Sequence, residues 1–329
     1  MSEFVKVLAI DGGGIRGVIP AMILAEIEQQ TKTPAAELFD LVAGTSTGGI
    51  LALGLVKPDD HGGPEFSATD LCELYAREGK RIFDRSLWHR LLALDNLADE
   101  KYEATGLEAV LKEYFGDVQL SEAVTETLVT SYELETREPW FFARHKALDD
   151  PSNDFEMRFV ARATSAAPTF FEPEELDVTT PHGALVDGGL YANNPAMCAY
   201  VEAKKLHPDA EEFLVVSLGT GQLTRPIHYA EAKDWGLALW AKPILNVVFD
   251  GVSDTVDHQM KILCRDSDEG DPRYYRFQTE LDIGSDDMDD VTATNFAALR
   301  QKAQQIIEQK TAELDRLCAT LELGVAAPA

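Results

Sequence analysis

Two glycine-rich turns constrain this chain more than any other feature. The first follows the apolar run VKVLAI and reads DGGGIRG, from Asp11 to Gly17. The second follows LFDLVA and reads GTSTG, from Gly44 to Gly48, before the apolar stretch GILALGLV. Apolar runs without polar alternation suit strands buried on both faces, as in parallel sheets covered by helices. After the first turn, Ile23, Leu24 and Ile27 recur at helical spacing, and Pro20 falls in the first turn of that helix, where proline is tolerated. Two strand–turn–helix units in succession predict an α/β protein with a mainly parallel, helix-covered sheet.

The rest of the chain extends this pattern. Lys57–Pro64 reads as a polar loop, and 67–114 as a helical insertion capping the sheet end. Leu128–Tyr132 and Trp140–Ala143 read as paired strands, and 147–154 as an exposed acidic loop. The segment ALVDGGLYANNP reads as strand, sharp turn and helix start, and Phe213–Leu218 as another buried strand. Further on, the pattern predicts a helix near 235–260, a strand over 274–279 and one long helix over 291–321. The expected division is a catalytic core over 1–220, with the cap insertion inside 57–140. A C-terminal extension over 221–329 packs on that core and is a candidate regulatory part.

Charge narrows the partners. With 29 basic and 57 acidic residues the net charge is −28, a surface that repels nucleic-acid phosphates and anionic lipid alike. No nucleic-acid polymer is expected as a partner, and membrane contact needs a local apolar or basic patch. The four cysteines form no CxxC pair, which suggests reduced thiols, no metal site and an intracellular, cytoplasmic protein. No secretory leader is expected at the start, and no run approaches the length needed to cross a bilayer.

The Gly44–Gly48 turn is a G-x-S-x-G between a buried strand and an apolar helix. A sharp turn there pushes the serine oxygen outward, and the helix aims its N-terminal N–H groups at it. Ser46 is therefore the candidate nucleophile, with Gly44 and Gly48 as supports; the plain alternative is a glycine-rich turn. DGGGIRG admits three readings. Gly12, Gly14 and Gly17 satisfy a dinucleotide fingerprint, but the second strand ends in a serine turn rather than the acidic residue that holds a ribose. The amides of Gly12, Gly13 and Gly14, with Arg16 beside them, can instead form an oxyanion hole. A tight turn with a surface arginine is the third reading. Ser46, thirty-two residues past Gly14, moves the balance toward the oxyanion hole. A serine nucleophile needs a base, and none of the seven histidines sits in a marked motif. Asp187, at a strand end with Gly188 and Gly189 behind it, can serve as base or as a turn aspartate.

Taken in order, DGGGIRG, GTSTG, ATSAAPTFF at 163–171 and Asp187-Gly-Gly with Asn193-Asn194-Pro195 resemble the patatin-like phospholipase family over about residues 4–220. The resemblance implies a three-layer α/β/α fold and a Ser–Asp dyad without histidine or metal. Ser46 is then the nucleophile, Asp187 the base, and Gly12, Gly13, Gly14 and Arg16 the oxyanion loop. It implies a membrane phospholipid substrate and a protein peripheral at the inner membrane face when active. Leu87, Trp88, Leu91 and Leu92 with Arg81, Arg85, His89 and Arg90 form a candidate membrane patch. Some bacterial relatives in the family resemble effectors of cyclic-nucleotide antiphage defence. A cyclic-nucleotide activator and a homodimer are accordingly candidate partners, with Arg265, Arg273 and Arg276 as phosphate contacts. The rivals are a non-catalytic binding or storage protein on the same scaffold and a histidine-dependent α/β-hydrolase.

Overall fold

The computed structural model describes residues 4–83, 104–176, 183–240, 243–266 and 270–323. It is a three-layer α/β/α architecture around a mainly parallel sheet. In chain order the strands of that sheet are β1 (Val5–Ile10), β2 (Leu41–Thr45), β3 (Glu126–Glu133), β4 (Glu138–Ala143), β5 (Glu174–Leu176), β6 (Gly183–Asp187), β7 (Phe213–Leu218) and β8 (Tyr274–Phe277). The main helices are α1 (Val18–Thr31), α2 (Thr47–Val56), α3 (Ala68–Ile82), α4 (Thr105–Phe115), α5 (Met157–Thr164), α6 (Ala196–Leu206), α7 (Pro243–Leu263), α8 (Ala293–Gln309) and α9 (Thr311–Leu321).

β8, β7, β1, β2 and β3 lie side by side and run parallel. Side chains of β1 alternate between the two faces: Leu8 and Ile10 enter one apolar core, Val7 and Ala9 the other. The first core is covered by α1, α2, α3, α4, α5, α8 and α9, and the second by α6 and α7. Because both faces are dry, strand residues must be apolar without alternation, as the sequence shows. Helix α2 is buried at all ten positions, which explains why TGGILALGLV carries no polar face. Helix α3 starts at a capping box in which Ser67 and Asp70 satisfy each other's backbone N–H groups.

One feature of the sheet places the site. β4 pairs antiparallel along one edge of β3 from Leu128 to Glu133. The other edge is shared: β2 pairs with Glu126–Thr130, and β6 pairs antiparallel with Ser131–Glu133. β2 and β6 thus run toward each other along one edge, and their C-terminal ends meet where Thr45 faces Thr130 and Asp187 faces Ser131. Residues 46 and 187, far apart in sequence, are brought to the same point by this collision.

The described residues beyond 220 take part in the architecture. β8 pairs with β7 in the central sheet, and α8 and α9 pack on α1. The helix expected over 291–321 is two helices, broken at Lys310, whose backbone leaves helical geometry at φ −107° and ψ 20°. Lys310 Nζ donates to the Arg276 carbonyl at 2.9 Å, and the break lets Leu299, Ile306, Leu314 and Leu321 all reach the core. The loop expected over 147–154 contains the end of a short helix, Arg144–Asp149, and a single 3₁₀ turn.

Candidate active site

Ser46 sits between β2 and α2 with φ 54° and ψ −125°, a left-handed conformation that costs a non-glycine residue of order 1–3 kcal/mol. Two features hold it there. The Ser46 N–H donates to Thr164 Oγ1 at 2.8 Å, and that hydroxyl donates to the Thr130 carbonyl at 2.6 Å. Gly44 and Gly48 let the turn close, since a Cβ on Gly48 would come within 2.1 Å of the Ile10 carbonyl oxygen. Ser46 therefore occupies the N-cap position of α2, its side chain making no capping bond, and lines a cleft at the C-terminal ends of the parallel strands.

Asp187 ends β6 and is fully buried. Its backbone N–H donates to the Ala166 carbonyl at 3.1 Å, which ties the strand end to the ATSAAP segment. Oδ1 accepts the Gly189 N–H at 2.7 Å, whereas Oδ2 is buried without a hydrogen-bond partner. Burial pushes the carboxyl up from 3.8 to about 7, with the nearby Ser46 hydroxyl and the Gly189 amide pulling weakly the other way. A base tuned close to neutral pH is suited to taking and returning a proton. Gly188 packs against Thr130, and Gly189 against Phe249 of α7.

The DGGGIRG loop is pinned at nearly every residue. Asp11 is buried and receives both terminal nitrogens of Arg276, at 2.8 and 2.6 Å. The Gly12 N–H donates to the Asn193 carbonyl at 3.0 Å, so Gly12 is not free to donate into the cleft; this corrects its expected place among the oxyanion donors. Thr220 Oγ1 donates to the Gly12 carbonyl at 2.6 Å, and Arg16 Nε to the Gly13 carbonyl at 3.2 Å. In a trans peptide the N–H points opposite the carbonyl, so these two bonds turn the Gly13 and Gly14 amides away from Thr220 and Arg16. Among the described residues neither amide has a hydrogen-bond partner, and both glycines line the cleft beside Ser46. Gly14 has φ 59°, and a Cβ there would meet the Met288 carbonyl oxygen at 2.3 Å. Arg16 is buried outside the cleft lining, with its Nε on the Gly13 carbonyl.

The cleft is narrow, with about 60 Å³ of free volume, and mostly apolar, with Ile50, Ile82, Leu107, Phe170, Phe249 and Met288 in its walls. Its described lining includes no histidine. His145, the most engaged of the described histidines, lies between Glu126 and Glu202. Ser165 lines the cleft with an unpartnered Oγ, but at the C-terminal end of α5 with an ordinary φ of −98°. Among the described residues no cluster of side chains could hold a metal, and no helix is long and apolar enough to cross a membrane.

Several expected contacts fall elsewhere. Arg276 is committed to Asp11, and Arg273 to Glu212, so neither is free as a phosphate contact; Arg265 is exposed. Arg81 pairs with Glu78 and Glu113, and the other residues of the membrane patch lie outside the described residues. Sequence reasoning did not single out Thr164, Thr220, Phe249 or Met288. Thr164 stands in a segment already noted, ATSAAP, and Thr220 in the GTG that follows the strand Phe213–Leu218; each is a hydroxyl just at or past the end of a helix or strand.

Comparison with known proteins finds relatives over most of the chain. The family profile described as "Patatin-like phospholipase" matches residues 8–200. Patatin-like protein 4 of Arabidopsis thaliana is 30% identical over 93% of this chain and 84% of its own length. Patatin-like protein 1 of Oryza sativa subsp. indica is 31% identical over 94% and 83%. "Probable inactive patatin-3-Kuras 1" of Solanum tuberosum is 29% identical over 95% and 89%.

Proposed function

The chain belongs to the patatin-like phospholipase family, and from that premise we propose that it hydrolyses acyl esters of membrane phospholipids through a Ser46–Asp187 dyad. The observation that carries this reading is the meeting of a strained Ser46 with a buried Asp187. One oxygen of that carboxylate is unpartnered, and both residues line one apolar cleft.

In this reading the acyl carbonyl enters the cleft between Ser46 and the glycine loop. Asp187 Oδ2 accepts the Ser46 proton as Oγ forms a bond to the carbonyl carbon. The negative charge that develops on the carbonyl oxygen is met by the free amides of Gly13 and Gly14, donors that need no reorganisation as the reaction proceeds. The tetrahedral intermediate collapses, the ester C–O bond breaks, and the proton on Asp187 passes to the leaving alkoxide oxygen. Water then attacks the acyl-serine with Asp187 as base, releasing the fatty acid. A dyad has no third residue to orient the base, so the Gly189 N–H on Oδ1 and the Ala166 carbonyl on the Asp187 backbone take over that role.

The histidine-dependent rival has no support in the described cleft. A relative named as probable inactive keeps the binding or storage reading open to test, and labelling with a fluorophosphonate decides it: covalent modification at Ser46 is expected, and none would favour storage. Activation by a cyclic nucleotide is a finer reading that no contact in the structure favours, since Arg273 and Arg276 are occupied. The deciding experiment is hydrolysis of phospholipid by wild type, Ser46→Ala and Asp187→Asn, with products identified by mass. Loss in both variants is expected; retained hydrolysis in either overturns the dyad.

A further inference from the structure

We propose that Arg276, on a strand beyond the residues matched by the family, is a positioning residue for the oxyanion loop and acts through Asp11. The inference rests on the proposed dyad chemistry and adds a residue to it.

Asp11 is the hinge between β1 and the glycine loop. Its own N–H still belongs to the sheet, donating to the Leu218 carbonyl at 2.9 Å, while the next residues turn away toward the cleft. The Asp11 carboxylate is therefore the last anchor before the two free amides. Arg276 enters from β8 and holds both carboxylate oxygens, with a further bond to Ser217 Oγ at 2.8 Å. The pair is almost completely shielded, with side-chain exposure of 10% for Arg276 and 2% for Asp11. A two-pronged guanidinium–carboxylate contact fixes direction as well as distance, which a lysine's point charge does not. It thereby ties the tips of β1, β7 and β8 into one unit from which the loop springs.

A purely structural pair would serve the fold equally well anywhere along the sheet. This one is at the single residue whose orientation sets where Gly12, Gly13 and Gly14 begin. Reacting groups displaced by about 1 Å lose about 10²-fold in rate, so a modest loosening of Asp11 is felt as slower turnover. Substrate contacts made by the apolar cleft walls are untouched.

The test compares Arg276→Lys, Arg276→Gln, Asp11→Asn and the double variant Asp11→Asn/Arg276→Gln with wild type on a soluble p-nitrophenyl ester. Active sites are titrated by fluorophosphonate, so turnover is expressed per competent Ser46. We expect kcat per titrated site to fall 10- to 100-fold, on the order of the displacement penalty, with KM within about threefold. Arg276→Lys should recover part of the loss. The double variant should be no slower than the slower single variant, because both substitutions break one contact. If the titratable fraction falls while turnover per site stays at the wild-type value, the pair is structural and the proposal is overturned. It is also overturned if the single losses multiply in the double variant. Ser46→Ala run in parallel separates the two levels: an active Ser46→Ala enzyme defeats the dyad itself, whereas an inactive one with fully active Arg276 variants defeats only the positioning role.

Discussion

The serine turn and the glycine loop lie side by side in one cleft and obtain their geometry by opposite means. The serine turn is built mainly from neighbours in the chain: the end of β2, the start of α2 and the glycines between them. Its strained backbone is offset by close packing, with Gly48 against the Ile10 carbonyl. The glycine loop has little intrinsic preference for its shape, because glycine is permissive. Its form is imposed by Arg276, Asn193, Thr220 and Met288, contributed by four distant stretches of chain. A strained turn can therefore be recognised from a five-residue motif, while a glycine loop needs distant parts of the chain to fix its shape.

Perturbations of the two sides should separate in the same way. Ser46→Ala should remove the nucleophile and lower kcat by roughly 10⁴-fold or more, with folding intact, as measured by ester hydrolysis and thermal unfolding. Asp187→Asn should cost about 10⁴-fold, by analogy with disabling the acidic member of a serine triad. The same change should stabilise the fold at high pH. The Asp187 pKa is raised by burial from 3.8 to about 7, so the folded state binds its proton more tightly than the unfolded state. Its contribution is fully present below about pH 4 and is lost as pH rises through 7. Asparagine escapes that loss, so Asp187→Asn should gain up to about 4 kcal/mol over wild type at pH 8 and little at pH 4, read from denaturant midpoints. In the wild type, kcat/KM should rise with pH with an apparent midpoint at about 7, as the base becomes ionised.

Gly48→Ala tests the packed side. A methyl group pressed on the Ile10 carbonyl should destabilise by about 3 kcal/mol, seen as a lower unfolding midpoint and poor yield. Thr220→Val tests the imposed side more gently. It removes the hydroxyl on the Gly12 carbonyl, and should cost about 1 kcal/mol of stability and about tenfold in kcat, less than losing an oxyanion donor outright. If Thr220→Val were silent in turnover while Gly48→Ala were silent in stability, the contrast between the two turns would fail. The smallest effect is expected at His145, which lies outside the cleft lining. His145→Ala should leave kcat within about twofold, since no step in the proposed mechanism uses it.

Much of this was legible before any coordinates. The uninterrupted apolar runs announce strands buried on both faces, G-x-S-x-G between strand and helix announces an elbow, and the ordered motifs announce the family. These signals are local, because hydrophobic periodicity and turn chemistry depend on residues a few positions apart. The helix break at Lys310 was not legible because no glycine or proline marks it, and the Nζ bond to the Arg276 carbonyl that accompanies it lies across the fold. The arginines were visible, but their partners were not. Arg276 could be read as a phosphate contact until Asp11 was found in its grip.

By itself, then, the sequence determined the layer order, the serine turn, the glycine loop and the strand-end aspartate. Only the tertiary structure decided how they combine. The head-on meeting of β2 and β6 along one edge of β3 joins Ser46 to Asp187. The Asn193 carbonyl removes Gly12 from the donor set, and Arg276, from the C-terminal part of the chain, holds the loop's first residue. The physical reason is that strand and turn formation follow from neighbouring side chains. The direction of an amide, and the burial that lifts a carboxylate's pKa, depend on groups brought from hundreds of residues away.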